Sequence, residues 1–233
     1  MSNNDLLKAV SESFAEFLDS GSSRSTAKLH PLHGAIANDI ANMLPGYKVH
    51  AQGYGNGKES TISGRYIDKK VDIVIEKDGK VYGGVGIKFV MQNYSQNSNN
   101  YFENMLGETA NIRCANYPYF QIFIILDKLP YYDKKGIIKN WETFTHHNVE
   151  KYLLLSQDNI DAFYHTPNKT LIFVVHIPDN QDLKNKAEYL DFYKAHTGSL
   201  IISDNSYGEF GSAVIINDYP KFLDKVFHTI KAI

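Results

Sequence analysis

Apolar positions along this chain fall into stretches of distinct period. Over residues 5–18 they occur at Leu6, Leu7, Val10, Phe14, Phe17 and Leu18, the spacing of a helix that buries one face. The polar segment GSSRSTAK interrupts it. Helical spacing returns over 31–44 through Leu32, Ile36, Ile40, Met43 and Leu44, with Pro45 and Gly46 as stop signals. From 47 to 67 glycine and polar residues dominate, which predicts a strand followed by a mobile loop or an irregular hairpin. Residues 71–75 and 81–90 are rich in β-branched side chains and flank Lys77, Asp78 and Gly79, so a hairpin is predicted there. After a polar loop, MQNYSQNSNN, the run NYFENMLGETANIR places Phe102, Met105, Leu106, Thr109 and Ile112 on one helical face. YFQIFIIL, 119–126, is continuously apolar, as a strand covered on both faces requires. Beyond it the pattern predicts helices over 147–157 and 183–196, a strand over 171–177, short strands near Leu200 and Val214, and a C-terminal helix from Tyr219. The whole reads as an α/β chain with a mixed central sheet flanked by helices.

Composition narrows the classes. A chain of 233 residues can bury a sizeable core, and one main domain over 1–233 is expected. The formal net charge of -2 gives no argument for a nucleic-acid partner. A single cysteine, Cys114, excludes an internal disulfide framework and a cysteine-based zinc cluster, and suits a reducing cytoplasm. The N-terminus lacks a basic segment followed by an apolar one, and no apolar run approaches the roughly eighteen residues that span a bilayer. A soluble, cytoplasmic protein with no membrane partner is therefore expected.

Candidate chemistry lies in the predicted hairpin, which carries Asp72 in one strand and Lys88 in the other. Lys88 shares a strand face with Gly84 and Gly86. With a three-residue loop at Lys77, Asp78 and Gly79, Asp72 falls opposite Gly84 and joins that face. A two-residue Asp-Gly turn puts it on the other face unless a bulge at Gly83-Gly84 restores the match. An ammonium in a strand as apolar as VGIKFV is costly to desolvate, so Lys88 calls for a carboxylate or an anionic ligand, with Asp72 the nearest candidate. A salt bridge without chemistry is the alternative.

An acid in one strand, a lysine sixteen positions on in the next, then a helix and a buried strand resembles the core of the PD-(D/E)xK nucleases, over about 31–126. The resemblance implies a restriction-endonuclease-like core, with 127–233 an elaboration that packs on or extends it and serves target recognition. It implies that Asp72 binds Mg²⁺ (or Mn²⁺), that Lys88 positions or activates water, and that Ile87 lends its backbone carbonyl to the metal. The chain departs from the pattern where Gly86 stands in place of the second motif acid and Val71 in place of the proline. Some restriction enzymes of this superfamily carry the displaced glutamate on the helix after the lysine strand, which here offers Glu103 and Glu108. Glu103 resembles the migrated arrangement more closely; Glu108 stays open, and one of the two is an exposed charge or a partner of Arg113. Gly86 would leave room for such an acid.

Remaining candidates are weaker. His30 with His33, and His146 with His147, lack a cysteine or His-Glu partner pattern and are not read as metal ligands. Asp39 falls on the polar side of its helix and is expected to face solvent. Lys58, Arg65, Lys69 and Lys70 precede Asp72 and can contact phosphates, and Asn93 in the amide-rich loop can touch phosphates or base edges. A solvated basic cluster and an ordinary polar loop are the plain alternatives. The expected activity is Mg²⁺-dependent cleavage of double-stranded DNA in the manner of a type II restriction enzyme, as a homodimer and with a DNA methyltransferase as functional partner. The alternatives are a catalytically inactive DNA-binding or structural protein of the same fold, and a repair or recombination nuclease.

Overall fold

The apolar run at 119–126 becomes the middle of a sheet around which the chain is ordered. The structure is a computed structural model that describes residues 2–20, 27–91, 94–178 and 182–233. Two helices come first, α1 (Asn3–Ser20) and α2 (His30–Met43), with a 3₁₀ turn at Ala27–Leu29 ahead of α2. Strands β1 (Lys48–Ala51), β2 (Ser60–Ser63), β3 (Asp68–Val71), β4 (Ile73–Lys77) and β5 (Lys80–Val90) follow, then α3 (Tyr94–Arg113) and β6 (Tyr119–Leu126). The remainder comprises β7 (Lys128–Tyr132), β8 (Ile138–Thr143), α4 (His146–Ser156), β9 (Lys169–His176), α5 (Lys186–His196), β10 (Ile201–Ile202), β11 (Val214–Ile216) and α6 (Tyr219–Lys231).

Seven strands form one sheet in the order β1-β4-β5-β6-β9-β10, with β11 also paired to β9. β5, β6, β9 and β11 run parallel to one another, while β4 is antiparallel to β5, β1 to β4 and β10 to β9. The predicted class, a mixed central sheet flanked by helices, is the one adopted. Both central strands, β6 and β9, are buried on two faces along most of their length, as their high Val, Ile, Leu and Phe content demands. β9 comes from beyond Leu126 and lies beside β6, so the C-terminal portion extends the central sheet. No helix among the described residues is long and apolar enough to cross a membrane.

Ring contacts assign the faces. Phe14 of α1 meets Phe89 at 6.1 Å and Phe222 of α6 meets Phe120 at 6.3 Å. On the opposite face Tyr152 of α4 meets Phe123 at 5.5 Å and Phe102 of α3 at 5.2 Å. Strand alternation then turns Gly84, Gly86 and Lys88 toward α3, and Val85, Ile87 and Phe89 toward α1. A smaller core of Ile62, Val71, Val74, Ile112 and Tyr119 seals the β2-β3 hairpin onto the α3 side.

The β4-β5 turn corrects the three-residue loop. Lys77 pairs with Lys80, and Asp78 (φ 51°) and Gly79 (φ 76°) both take positive φ, as a two-residue hairpin of this twist requires. One extra β5 residue is accommodated where the register shifts from Ile75↔Gly83 to Glu76↔Val81. Ile73 pairs with Val85, so Asp72, one residue earlier, comes opposite Gly86 and not Gly84. The bulge returns it to the Lys88 face.

Two other expectations change. α3 begins at Tyr94, within the stretch read as a polar loop, because Tyr94 is buried edge-on against Phe144 at 5.5 Å and anchors a turn of weak intrinsic helix preference. Asp39 is buried, not solvent-facing, and accepts a hydrogen bond from the Tyr219 hydroxyl of α6 at 2.9 Å.

Candidate active site

A polar cleft of about 550 Å³ opens at the end of the sheet where β4 begins, lined by Asp72, Gly86, Ile87, Lys88, Glu103 and Glu108 among others. Asp72 stands in the short break between β3 and β4. Its Oδ2 accepts the backbone N–H of Ile87 at 2.6 Å, a side-chain rung that continues the ladder past the end of β4. Burial pushes the Asp72 carboxyl up to about 6, and the charge of Glu108 adds to this; the Ile87 N–H, Lys69 and Lys88 act the other way.

Lys88 is half-buried, and its ammonium sits over the Tyr101 ring of α3 at 4.2 Å from the centroid. Burial lowers its pKa against the opposing pull of Asp72. A second cleft of about 340 Å³ continues from it, sharing Ile87, Lys88 and Tyr101 and reaching Lys28 in the 3₁₀ turn. Burial and the Lys88 charge lower the Lys28 pKa, so the two cations feel each other.

The two helix acids have different surroundings. Glu103 is exposed on the cleft rim. Glu108 is committed: one oxygen accepts the Tyr119 hydroxyl, and the other pairs with Lys69 at 2.6 Å. Arg113 pairs with neither, donating instead to the carbonyls of Ile160, Phe163 and Thr166. Nor is there room beside Gly86. A Cβ there would stand 2.2 Å from Tyr119 Oη and 2.7 Å from Gln121 Oε1, so two polar groups reaching over from β6 already occupy that space.

Another set of donors approaches Asp72 from α2. His33, Glu59 and Asp72 each offer one ligand atom, and the three atoms lie within 4.8 Å of one another. His33 is fully buried, and neither ring nitrogen has a hydrogen-bond partner among the described residues. Burial lowers its pKa to about 4, with Glu59 opposing and His30 adding. Glu59 is oriented by Gln52, whose amide donates to it at 2.6 Å. This meeting depends on two glycines. A Cβ on Gly34 would come within 2.5 Å of the Gly53 carbonyl oxygen, and one on Gly53 within 2.1 Å of that of His30, so only glycine lets the first turn of α2 lie on the loop after β1.

Among the basic candidates, Lys69 lines the cleft, whereas Lys58, Arg65 and Lys70 are exposed outside its lining. Asn93 lies outside the described residues. His146 and His147 are exposed near Glu150, at 3.9 and 3.4 Å. Sequence reasoning missed Glu59, Gln52 and Lys28, which sit in stretches without apolar periodicity, and set His33 aside as half of a histidine pair. The signal for His33 was its place on the buried face of α2, next to Leu32.

No family model, no curated protein and no solved structure matches this chain.

Proposed function

We propose that this chain is a divalent-metal-dependent endonuclease of the PD-(D/E)xK type that hydrolyses phosphodiester bonds in double-stranded DNA, in the manner of a type II restriction enzyme. The observation that carries the reading is the meeting of Asp72 and Lys88 in one solvent-open cleft, on one face of the sheet. The donors suit a divalent ion, since Asp72 keeps an oxygen beyond the one that accepts Ile87, and a carboxylate and an imidazole lie beside it. Such an ion, Mg²⁺ or Mn²⁺, supplies Lewis acidity toward a phosphoryl oxygen and lowers the pKa of water.

The chain's own side chains supply the rest. Lys88, partly withdrawn from solvent, stabilises the negative charge that builds on the phosphate oxygens as water attacks. Tyr101 fixes where that ammonium points. Lys28 adds positive charge along the continuing cleft and suits a neighbouring phosphate of the same strand. Recognition of a palindromic site would require two copies related by a two-fold axis, with a DNA methyltransferase protecting the host.

The test is incubation of the full chain with plasmid DNA and Mg²⁺ or Mn²⁺. Discrete fragments are expected from wild type, and none from Asp72→Ala or Lys88→Ala proteins that circular dichroism finds folded. A second reading, a non-catalytic DNA-binding module, is favoured by the filled space at Gly86. DNA shifted on a gel but uncut with either ion would select it. Preferential cutting of branched or single-stranded DNA would instead select a repair or recombination nuclease.

A further inference from the structure

We infer that His33, Glu59 and Asp72 form a mixed nitrogen and oxygen metal centre that takes a first-row transition ion such as Mn²⁺ or Co²⁺ in preference to Mg²⁺ or Ca²⁺. The inference deepens the nuclease reading by naming the donors and the class of ion, and rests on it only for the ion's use in catalysis.

Three features support a built site. The ligand atoms lie within 4.8 Å of one another, close enough for one ion to touch all three. The imidazole is fully buried with both nitrogens unpartnered among the described residues, an arrangement that leaves a strong acceptor unanswered in a dry environment. The carboxylates of Glu59 and Asp72 each accept a hydrogen bond, from the Gln52 amide at 2.6 Å and from the Ile87 N–H at 2.6 Å, the kind of outer partner that orients metal ligands. A divalent cation answers the imidazole lone pair and the facing carboxylates at once.

Ligand chemistry sets the choice of ion. Mg²⁺ and Ca²⁺ take oxygen donors; imidazole suits the later first-row ions, so affinity rises toward Co²⁺, while Mn²⁺ tolerates the imidazole and is satisfied by the two carboxylates. Placing one imidazole among two carboxylates therefore tilts the site away from Mg²⁺. On the other flank Glu108 has both oxygens engaged, by Tyr119 and Lys69, and offers no comparable donor.

The experiment uses the full chain stripped with EDTA and titrated with Mn²⁺, Co²⁺ and Mg²⁺ by calorimetry, with electron spin echo spectroscopy of the Mn²⁺ complex. Expected results are Mn²⁺ and Co²⁺ bound at least about tenfold more tightly than Mg²⁺, and a ¹⁴N modulation from one imidazole that disappears in His33→Gln. Gln52→Ala, which removes only the anchor of Glu59, is expected to weaken Mn²⁺ by about tenfold, and Glu59→Gln by more. Should His33→Gln fail to fold, the wild-type modulation and the two other variants still decide. Mn²⁺ bound without ¹⁴N coupling, or with affinity unchanged in both Glu59→Gln and Gln52→Ala, overturns the inference. Nitrogen-coupled Mn²⁺ in a protein that cuts no DNA keeps this centre and sinks the nuclease reading; cleavage without nitrogen coupling does the reverse.

Discussion

Adding a single methyl group at Gly86 tests what occupies the space beside it. The new Cβ would stand 2.2 Å from Tyr119 Oη, 2.7 Å from Gln121 Oε1 and 3.1 Å from Tyr119 Cζ, well inside the roughly 3.5 Å at which heavy atoms begin to attract. The tyrosine cannot retreat easily, although the end of the Gln121 side chain can rotate. Tyr119 is fully buried, and Gly86 and Gln121 are opposite one another in the parallel β5-β6 ladder, which fixes their backbones. Overpacking of this kind costs about 1–3 kcal/mol, and displacing the Tyr119 hydroxyl also breaks its hydrogen bond to the Glu108 carboxylate, worth about 1.5–3 kcal/mol. Gly86→Ala should therefore lose about 3 kcal/mol or more of unfolding free energy in urea, measured at neutral pH in EDTA. Tyr119→Phe alone loses the hydrogen bond but removes the worst clash in advance, so the double variant should be more stable than additivity predicts by about 1–2 kcal/mol. A Gly86→Ala protein within about 0.5 kcal/mol of wild type, or strictly additive losses, would show that tyrosine does not own this space.

Two further outcomes follow from the site's surroundings. In metal-free protein the shifts of Asp72, from 3.8 to about 6, and His33, from 6.5 to about 4, oppose each other. The raised acid contributes stability below its unfolded value that is lost as pH rises through about 6; the depressed imidazole contributes stability above its unfolded value that is lost as pH falls through about 4. Asp72→Asn leaves only the second, so between pH 4 and 6.5 its unfolding free energy in EDTA should rise relative to wild type by about 2 kcal/mol, the cost of ionising the buried Asp72; parallel profiles for the two proteins would contradict this. Asn111 binds the β2-β3 hairpin to α3 by accepting from the Tyr66 and Ile67 amides at 2.9 and 3.2 Å and donating to the Ile67 carbonyl at 2.9 Å. Asn111→Ala should lower stability by about 2–3 kcal/mol and accelerate hydrogen exchange at those two amides first, and unaltered local protection would count against it.

Local signals carried the framework and failed where tertiary contact decides. β6 was legible because eight successive residues are apolar enough for a doubly covered strand, and α1 because its apolar stripe keeps helical spacing. The Asp-Gly turn was legible as a turn but not in its length, since two- and three-residue loops satisfy the same sequence and only the accommodation of one extra residue in β5 tells them apart. The start of α3 was hidden because an Asn- and Ser-rich stretch has no helical stripe, and a tertiary ring contact, Tyr94 on Phe144, holds it. Asp39 was misjudged because the sequence does not reveal that α6 packs its Tyr219 over the side of α2 read as polar.

At the candidate site the same division separates the two flanks of Asp72. Asp72 and Lys88 stood out because a charge in an apolar strand needs a reason, although their relation waits on the turn length and the bulge in β5. Glu59 and His33 did not, because they reach Asp72 only through Gly34 lying against Gly53, a contact between an α-helix and a distant loop. The flanks also differ electrostatically. Toward α3, Glu108 is answered by Lys69 and Tyr119, and its remaining influence is to discourage ionisation of Asp72. Toward α2, a second carboxylate and an imidazole without a hydrogen-bond partner among the described residues face Asp72. A cation on that side offsets the burial and the Glu108 charge that discourage ionisation of Asp72 and answers the imidazole as well, whereas one on the α3 side would compete with Lys69 for Glu108. The better-disposed donors thus lie on the side of Asp72 away from the helix that carries Glu103 and Glu108.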